Sequence, residues 1–211
     1  MVEYNSDFLS TVASYYADKL AEHGPTPAGV DWNAEAGQTL RFAQLAKILP
    51  TALDRFSLND LGCGYGALFD FLVLTFPKLD YEGIDVSAPM IATALIRHAG
   101  HSNAKFHIGC NPTATRDFSL ASGIFSVRLN TPEEPWLNYI KNTLDILDAY
   151  SVKGFAFNCL TSYSDRERMR PDLYYADPMS LFDFCKKRYS RDVALLHDYG
   201  LYEFTILVRK S

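Results

Sequence analysis

The sequence predicts an α/β fold, in which a mostly parallel sheet of seven strands carries helices on both faces and ends in an antiparallel C-terminal hairpin. Residues 56–61 form a β-like run, residues 67–76 form a helix-like run, and a glycine-rich turn joins them. A second β-like run, residues 81–85, ends in an acidic residue. Near the C-terminus, residues 197–200 join two more β-like runs and indicate a hairpin. A strand, a glycine-rich turn and a helix in this order are typical of nucleotide-binding folds.

The length and composition fit a single globular domain. The chain has 211 residues, of which 48% are hydrophobic and 21% charged, and these values are ordinary for a protein with a full core. We expect residues 51–211 to form the core of the domain and residues 1–50 to form a helical extension of it. The net charge of −5 argues against a large phosphate-backbone partner, so nucleic acid is not the expected partner.

Four widely spaced cysteines form no C-x-x-C pair and predict neither a zinc site nor a redox motif. They are consistent with free thiols in a reducing compartment. The N-terminus shows no signal-peptide pattern, and no stretch of the sequence is long and apolar enough to span a membrane. A soluble cytoplasmic protein without a bound metal is therefore the expectation.

Two helices are predicted before the first strand. Apolar residues at helical spacing indicate one helix over residues 6–23, and Gly24 with the prolines after it ends that helix. Asn33 is a favourable N-cap for a second helix over residues 34–49, which Pro50 closes. These helices either cover an edge of the sheet or fold over a bound ligand, and the sequence leaves both possibilities open.

The core elements alternate between strands and helices. After the first two strands, Ser87 and Pro89 are expected to begin a helix over residues 88–99. A third strand is predicted over residues 104–109. Residues 112–117 leave little room for another crossover helix, so we expect a loop or one short turn there.

The second half of the chain supplies the remaining strands. Residues 118–125 predict the fourth strand with the rim after it, and residues 154–160 predict a strand buried on both faces. Between them we expect a helix over residues 136–150. A polar insertion over residues 161–177 is long for a compact domain and is typical of a functional loop. The last elements are a helix over residues 178–189, capped by Asp177, and strands over residues 193–197 and 202–209.

The glycine-rich turn indicates the chemistry of the protein. It has the pattern D-x-G-x-G-x-G over residues 60–66, and its glycines let the backbone turn sharply and approach a ligand closely. The helix after it offers free N–H donors at its N-terminus. Asp85, at the end of the second strand, can accept hydrogen bonds from ribose hydroxyls. Because Ala67 completes a dinucleotide fingerprint as well, the residues alone leave the adenosine-containing cofactor undecided.

The turn resembles motif I of the class I S-adenosylmethionine (SAM) methyltransferases, whose acidic residue helps to hold the methionine amino group. The C-terminal hairpin resembles the antiparallel last strand of the same family. The resemblance implies a Rossmann-like fold with SAM as the methyl donor, and further blocks match one bacterial group of these enzymes over nearly the whole chain. Those blocks are Gly24-Pro25-Thr26, Asp31-Trp32-Asn33, Gln38, Arg41-Phe42 and residues 121–125, 174–178, 197–199 and 202–204.

The resemblance also implies a set of cofactor-binding residues. It assigns the turn to the methionine part of SAM and Asp85 to the ribose, and Val86 and Met90 are expected near the adenine ring. The family commonly binds the adenine amino group with an acidic residue after the third strand. This chain has no acidic residue at that point, and Asn111 or a backbone carbonyl is expected to take the role. Ser122, at the exit of the fourth strand, is expected where the transferred methyl group points. The residues of the turn are Asp60, Gly62, Cys63 and Gly64.

The sequence defines the acceptor side of the site less sharply. We interpret His197 and Tyr175 as catalytic residues, because an oxygen or nitrogen nucleophile can need its proton removed and histidine titrates near neutral pH. The alternative to a catalytic role is that His197 only pairs with Asp198 in the hairpin turn. Arginines at positions 166, 168 and 170 either bind an anionic substrate or face solvent. Further candidates are His23 and Asp198, with Trp32 and Trp136 as possible walls of the site.

The sequence therefore predicts an enzyme that transfers a methyl group from SAM to an oxygen or nitrogen of a small molecule and releases S-adenosylhomocysteine. A nucleic-acid methyltransferase is disfavoured, because residues 122–125 lack the Asn/Asp-Pro-Pro-aromatic motif of amino methylation on bases and the net charge is acidic. The same residues also leave open a non-catalytic SAM-binding protein and a NAD-dependent dehydrogenase.

Overall fold

The computed structural model describes residues 6–32, 35–50 and 54–210. Helix α1 spans Ser6–His23, as the sequence predicts, and a short 3₁₀ helix, Pro27–Val30, follows it. Helix α2 spans Glu35–Leu45 and continues as a 3₁₀ turn, Ala46–Ile48, so the predicted second helix tightens near its end. The predicted cap of that helix, Asn33, lies outside the described residues.

Within the described residues, eight strands form one sheet, in the order β3-β2-β1-β4-β5-β8-β7, with β6 paired to β5. Strands β1 to β6 run parallel to one another, and β8 is antiparallel to both β5 and β7. This confirms the mostly parallel sheet and the antiparallel hairpin, and adds β6 inside the polar insertion. The strands are β1 Phe56–Leu61, β2 Leu79–Asp85, β3 Ala104–Ile108, β4 Arg116–Ala121, β5 Ser151–Thr161, β6 Tyr175–Ala176, β7 Asp192–Leu196 and β8 Glu203–Arg209.

Four further α-helices in the described part of the chain cover the sheet, and their ends differ modestly from the predictions. Helix α3 stops at Val73 rather than at Phe76, because the N–H groups of Thr75 and Phe76 both turn back to the carbonyl of Leu72. The Asp177 side chain caps α6 by accepting hydrogen bonds from two backbone N–H groups, as predicted. The four helices are α3 Ala67–Val73, α4 Ala88–Arg97, α5 Glu133–Ala149 and α6 Pro178–Arg188.

Two hydrophobic clusters fill the two faces of the sheet. On one face, α2, α3 and α4 pack apolar side chains such as Phe42, Phe69 and Ile91 against it. On the other face, α5 and α6 contribute Trp136 and Leu181. The helices are therefore held mainly by burial of their apolar faces, which is worth about 1.5–3 kcal/mol for each fully buried large side chain.

The order of the strands defines where a ligand can bind. From β1 the chain proceeds to β2 and β3 on one side, and then to β4 and β5 on the other. At such a reversal the connections leave the sheet in opposite directions, and a crevice opens beyond the carboxyl ends of the strands. The β3–β4 connection contains no helix among the described residues, as predicted. No helix in the described ranges is long and apolar enough to cross a membrane.

Candidate functional site

The glycine-rich turn after β1 is bound to the end of β2 by its backbone. The N–H groups of Gly62 and Cys63 both donate to the carbonyl of Ile84, at 2.7 and 3.1 Å. Gly62 has a φ of 78°, and a Cβ built on it would lie 2.1 Å from Cγ2 of Ile124. We call residues 122–125, which follow β4, the rim of β4. A side chain at position 62 would therefore be conformationally strained and would also collide with this rim.

Asp85 extends this link between the two strand ends. One oxygen of its carboxylate accepts the N–H of Gly64 at 2.9 Å, and the other accepts the N–H of Ser87 at 2.8 Å. Burial raises the pKa of this carboxyl, and the backbone N–H groups oppose that shift. Each oxygen keeps lone pairs for a ligand, because a carboxylate can accept about four hydrogen bonds.

Asp60 lies at the base of the site, where it is 1% exposed. The Tyr81 hydroxyl donates to its Oδ2, whereas Oδ1 has no hydrogen-bond partner among the described residues. Burial raises the pKa of the carboxyl from 3.8 to about 7, although the hydrogen bond from Tyr81 lowers it. A buried acceptor without a partner is costly, and a bound cationic group would satisfy it.

A cleft, which we call the inner cleft, runs along these strand ends in two halves. The loop half lies beside the glycine turn, and the rim half lies beside the ends of β2 and β3. Their empty space measures about 600 and 570 Å³, open solvent at their mouths included. Tyr16, Gly62, Asp85 and Ile124 line both halves. The loop half also includes Asp60, Met90 and Ser122, and the rim half Val86, Gly109, Cys110, Tyr139 and Thr143.

A second cleft, which we call the outer cleft, lies between the 24–32 loop and the polar insertion. It shares Tyr16, Val30, Trp32 and Gly123 with the loop half of the inner cleft. Polar side chains dominate the rest of its wall. They include Asp31, Arg41, Ser164, Arg168, Arg170, Tyr175 and Glu203. The two clefts therefore meet at the rim of β4.

A buried ion pair supports the outer cleft. Glu203 is 2% exposed, and its two carboxylate oxygens share the single Nε–H of Arg41, each at 2.7 Å, while Nη2 of Arg41 lies 2.6 Å from Oε1. The Asn158 amide donates to Glu203 at 2.8 Å and accepts the N–H of Gly123 at 2.8 Å. The guanidinium of Arg41 also lies 3.7 Å from the ring centroid of Trp32. One connected network thus fixes both the rim of β4 and the aromatic wall.

More exposed ion pairs join the 24–32 loop to the polar insertion. Asp31 lies 3.2 Å from Arg170 and 3.5 Å from Lys19. Arg170 also pairs with Asp172 at 2.5 Å. Asp31 has a φ of 60°, which is uncommon for a residue with a side chain. These contacts connect the 24–32 loop to helix α1 and to the polar insertion beside the outer cleft.

Most of the sequence-predicted cofactor residues line the inner cleft. Asp85 and Gly62 lie where its two halves meet, and Val86 lies in the rim half. Met90 lies beside Gly64 in the loop half, apart from Val86. Asn111 is exposed and its amide contacts Sγ of Cys110 at 3.6 Å, whereas Cys110 itself lines the rim half. The remaining predicted residues in the loop half are Asp60, Cys63, Gly64 and Ser122.

The two predicted catalytic residues lie in different places. Tyr175 lines the outer cleft, and its hydroxyl accepts the backbone N–H of Arg170 at 2.9 Å. His197 is exposed at the hairpin, where its ring contacts the rings of Tyr163 and Phe204. The structure thus brings Tyr175 to the outer cleft and leaves His197 outside both clefts, and the catalytic role of each residue stays a prediction.

One predicted wall of the site is wrong. Trp136 is 1% exposed and its indole N–H donates to the carbonyl of Phe125 at 3.1 Å. It therefore belongs to the hydrophobic cluster between α5 and the sheet. Trp32, in contrast, lines both clefts. The sequence interpretation also missed Tyr16 and Thr143 as lining residues, because each fits the apolar periodicity or the interior of a predicted helix.

Comparison with known proteins identifies the class. No family model matches the chain. The chain is 59% identical over 160 residues to the Mycobacterium tuberculosis protein named "Putative methyltransferase Rv1506c", an alignment that covers 76% of this chain and 96% of that protein. The chain therefore belongs to the methyltransferase family of that mycobacterial protein.

Solved structures of methyltransferases share the fold over nearly the whole chain. The DhpI–SAM–HEP complex superposes with a TM-score of 0.67 at 16% identity, covering 97% of this chain and 98% of the other. Magnesium protoporphyrin IX methyltransferase from Synechocystis superposes with a TM-score of 0.62 at 12% identity, covering 98% and 97%. At such identities the likeness shows the fold, which is that of the class I SAM-dependent methyltransferases.

Proposed function

We propose that the protein transfers a methyl group from SAM, bound in the inner cleft, to an oxygen or nitrogen of a small molecule bound in the outer cleft. The observation that carries the proposal is the junction of the two clefts at the rim of β4, beside Ser122 and Gly123. Methyl transfer is an in-line displacement, so a donor and an acceptor must meet across such a junction.

The residues of the loop half fit the methionine end of SAM. The free Oδ1 of Asp60 suits the ammonium group, because a buried carboxylate oxygen without a partner gains a charge-assisted hydrogen bond. The glycine turn provides the close backbone approach that a ligand needs there. Ser122 and Gly64 line the same space.

The residues of the rim half fit the adenosine end. Asp85 has lone pairs left for ribose hydroxyls after binding the N–H groups of Gly64 and Ser87. Thr143 is 2% exposed, and its hydroxyl has no hydrogen-bond partner within the described residues. We therefore assign Thr143 to the adenine ring, together with Val86 and the backbone at Gly109 and Cys110. Asn111 is the alternative that the sequence suggests.

SAM supplies an electrophilic methyl group on a sulfonium sulfur. The chain contributes by orienting donor and acceptor and by excluding water from their junction, which can account for much of the rate acceleration. Tyr175 extends its hydroxyl into the outer cleft, where the Arg170 N–H occupies one lone pair of the oxygen. The hydroxyl hydrogen is then available to orient the oxygen or nitrogen of the acceptor. His197 is the other predicted catalytic residue, and its role would be to accept the proton of the acceptor nucleophile.

Several features favour a small acceptor. The outer cleft is a concave space of about 1,040 Å³, open solvent at its mouth included, and Asp31 and Arg170 pair with each other in its wall. Its arginines at positions 41 and 170 are already paired with carboxylates. The net charge of −5 disfavours a nucleic-acid acceptor. The four cysteines are free thiols, which supports a reducing compartment such as the cytoplasm.

Calorimetric titration with SAM, S-adenosylhomocysteine and NADH tests the donor half of the proposal. We expect saturable binding of the first two and none of NADH, and Asp85→Ala should weaken both without unfolding the protein. An acceptor screen then follows S-adenosylhomocysteine release, with Tyr175→Phe as the matched variant. Binding of NADH alone would favour a dehydrogenase, and binding of no ligand would favour a protein without catalytic activity.

A further inference from the structure

Three spaces meet at a single side chain of helix α1. The loop half of the inner cleft, its rim half and the outer cleft are lined by different sets of residues. Among the residues that the structure describes, Tyr16 alone lines all three. Gly62 and Asp85 border the two inner halves, and Trp32 and Gly123 border the loop half and the outer cleft.

Three groups likewise meet at the sulfur of SAM, because the methionine, the adenosine and the transferred methyl group are all bonded to that atom. If these groups occupy the loop half, the rim half and the junction with the outer cleft, as the proposed function requires, the sulfur lies where the three spaces meet. The side chain that borders all three spaces then lies beside the sulfur.

Helix α1 holds Tyr16 firmly in this place. The ring of Tyr15 packs edge-on against it, with centroids 5.3 Å apart. Phe8, two turns earlier, contacts the rings of Trp136 and Tyr139 at 5.8 and 4.9 Å. Lys19, one turn later, pairs with Asp31. These contacts attach the helix to α5 on one side and to the 24–32 loop on the other.

The chemistry of Tyr16 suits contact with a cation. Burial raises the pKa of its hydroxyl far above its ordinary value, and the negative charges of Asp31 and Asp85 act in the same direction. The phenol therefore stays neutral at any working pH, so it does not act as a phenolate base. A neutral aromatic ring attracts a cation through its π face, and the attraction grows when water is excluded.

We propose that Tyr16 packs its ring against the sulfonium of SAM and thereby favours the positively charged donor over the uncharged thioether product. Loss of the ring should remove an attraction that only the charged ligand experiences. A cation–π contact of ~0.5–2 kcal/mol corresponds to a change of roughly 2- to 30-fold in the ratio of the two dissociation constants. The hydroxyl should matter little, because the ring carries the effect.

The test is calorimetric measurement of the Kd for SAM and for S-adenosylhomocysteine with wild-type protein and with Tyr16→Leu, Tyr16→Met and Tyr16→Phe. We expect the leucine and methionine variants to shift the ratio of the two Kd values against SAM, and the phenylalanine variant to keep it. Leu9→Ala is the matched control, because Leu9 lies on the same helix but lines the rim half. It should weaken both ligands equally.

The ratio separates a contact with the sulfonium from a structural role. A partly inactive preparation changes the binding stoichiometry, but it affects both ligands alike and leaves the ratio unchanged. Equal weakening of both ligands in Tyr16→Leu and Tyr16→Met would overturn the assignment of Tyr16 while the proposed function stands. Failure of the wild-type protein to bind either ligand would instead overturn the proposed function.

Discussion

The inner and outer clefts are neighbours, but they are built in different ways. The inner cleft rests on hydrogen bonds that backbone N–H groups of the glycine turn donate to the end of β2, as where Gly64 donates to the carboxylate of Asp85, 21 positions away. The outer cleft rests on ion pairs between distant residues. Arg41 and Glu203 are 162 positions apart, and Arg170 and Asp31 are 139 apart. The inner cleft is thus defined by the strand ends themselves, and the outer cleft by side chains that connect separate segments.

This difference has a consequence for how each cleft can vary. A glycine turn held by backbone bonds leaves little freedom for substitution, since an added side chain meets its neighbours directly. Ion pairs between exposed loops, such as that of Arg170 with Asp31, permit replacement of one pair by another while the sheet stays intact. We therefore expect changes in the inner cleft to act on cofactor binding and changes in the outer cleft to act on stability and on the acceptor.

The largest effect is expected from Gly62→Ala. The new Cβ would lie 2.1 Å from Ile124 at a φ of 78°, so the turn or the rim of β4 must move. Calorimetry should detect no SAM binding at concentrations that saturate the wild type. Gly24→Ala is the matched control, because Gly24 has a φ of 67° with nothing within 4 Å of its Cβ position. It should lower stability by ~1–2 kcal/mol and leave SAM affinity intact.

A second substitution can separate the collision from the backbone strain. Ile124→Ala removes the atom that collides with the new Cβ, so Gly62→Ala combined with Ile124→Ala should regain part of the SAM affinity. If Gly62→Ala alone binds SAM as tightly as the wild type, the inner cleft is not confined by this turn. The expected difference between the inner and outer clefts would then not hold.

The same contrast explains which parts of the molecule the sequence could predict. The turn and Asp85 are visible because strand ends and glycine spacing are local patterns, and those predicted residues all line the inner cleft. The pairing of Arg41 with Glu203 has no local signal, since 162 positions separate the two residues. Tyr16 fits the apolar face of α1 equally well as a core residue. Trp136 shows the opposite error, because a large aromatic residue near a predicted rim packs in the core instead.

The next largest effect is expected from Glu203→Gln, which would leave the nearly buried Arg41 without a charged partner. Breaking one side of a buried pair typically costs ~3–5 kcal/mol, so thermal unfolding should occur at a clearly lower temperature. SAM affinity should fall far less than in Gly62→Ala. Combining Arg41→Gln with Glu203→Gln should recover stability, because no uncompensated charge then stays buried. A double variant less stable than either single one would contradict this reading of the pair.

Asp60→Asn should have a moderate effect on SAM affinity and should change its pH dependence. Loss of a hydrogen bond to a charged group costs ~1.5–3 kcal/mol, or roughly 10- to 150-fold in Kd. Because the pKa of Asp60 in the free protein is about 7, protonation competes with the ammonium group below that pH. Wild-type affinity should therefore fall by up to about tenfold per pH unit below pH 7, and calorimetry of the variant should give a flatter profile.

The same carboxyl predicts a change in the stability of the ligand-free protein. Burial raises the pKa of Asp60 from 3.8 to about 7, so the folded state holds the proton more tightly than the unfolded state in that window. Its contribution to stability is present at low pH and is lost as the pH rises through 7. Asp60→Asn should thus raise the unfolding temperature at pH 8 while it weakens SAM binding. A wild-type SAM affinity that is constant between pH 5 and 8 would argue against the role of this residue.

The smallest effect is expected from Arg170→Ala in the outer cleft. Arg170 is 46% exposed, and its pairs with Asp31 and Asp172 are accessible to water and salt. Exposed pairs contribute ~0.2–1 kcal/mol, and salt screens them, so the small loss in unfolding temperature should shrink further at high ionic strength. Thermal unfolding at low and high salt measures this directly. A loss as large as that of Glu203→Gln, and independent of salt, would mean that the contacts of Arg170 contribute to stability as much as the buried wall of the outer cleft does.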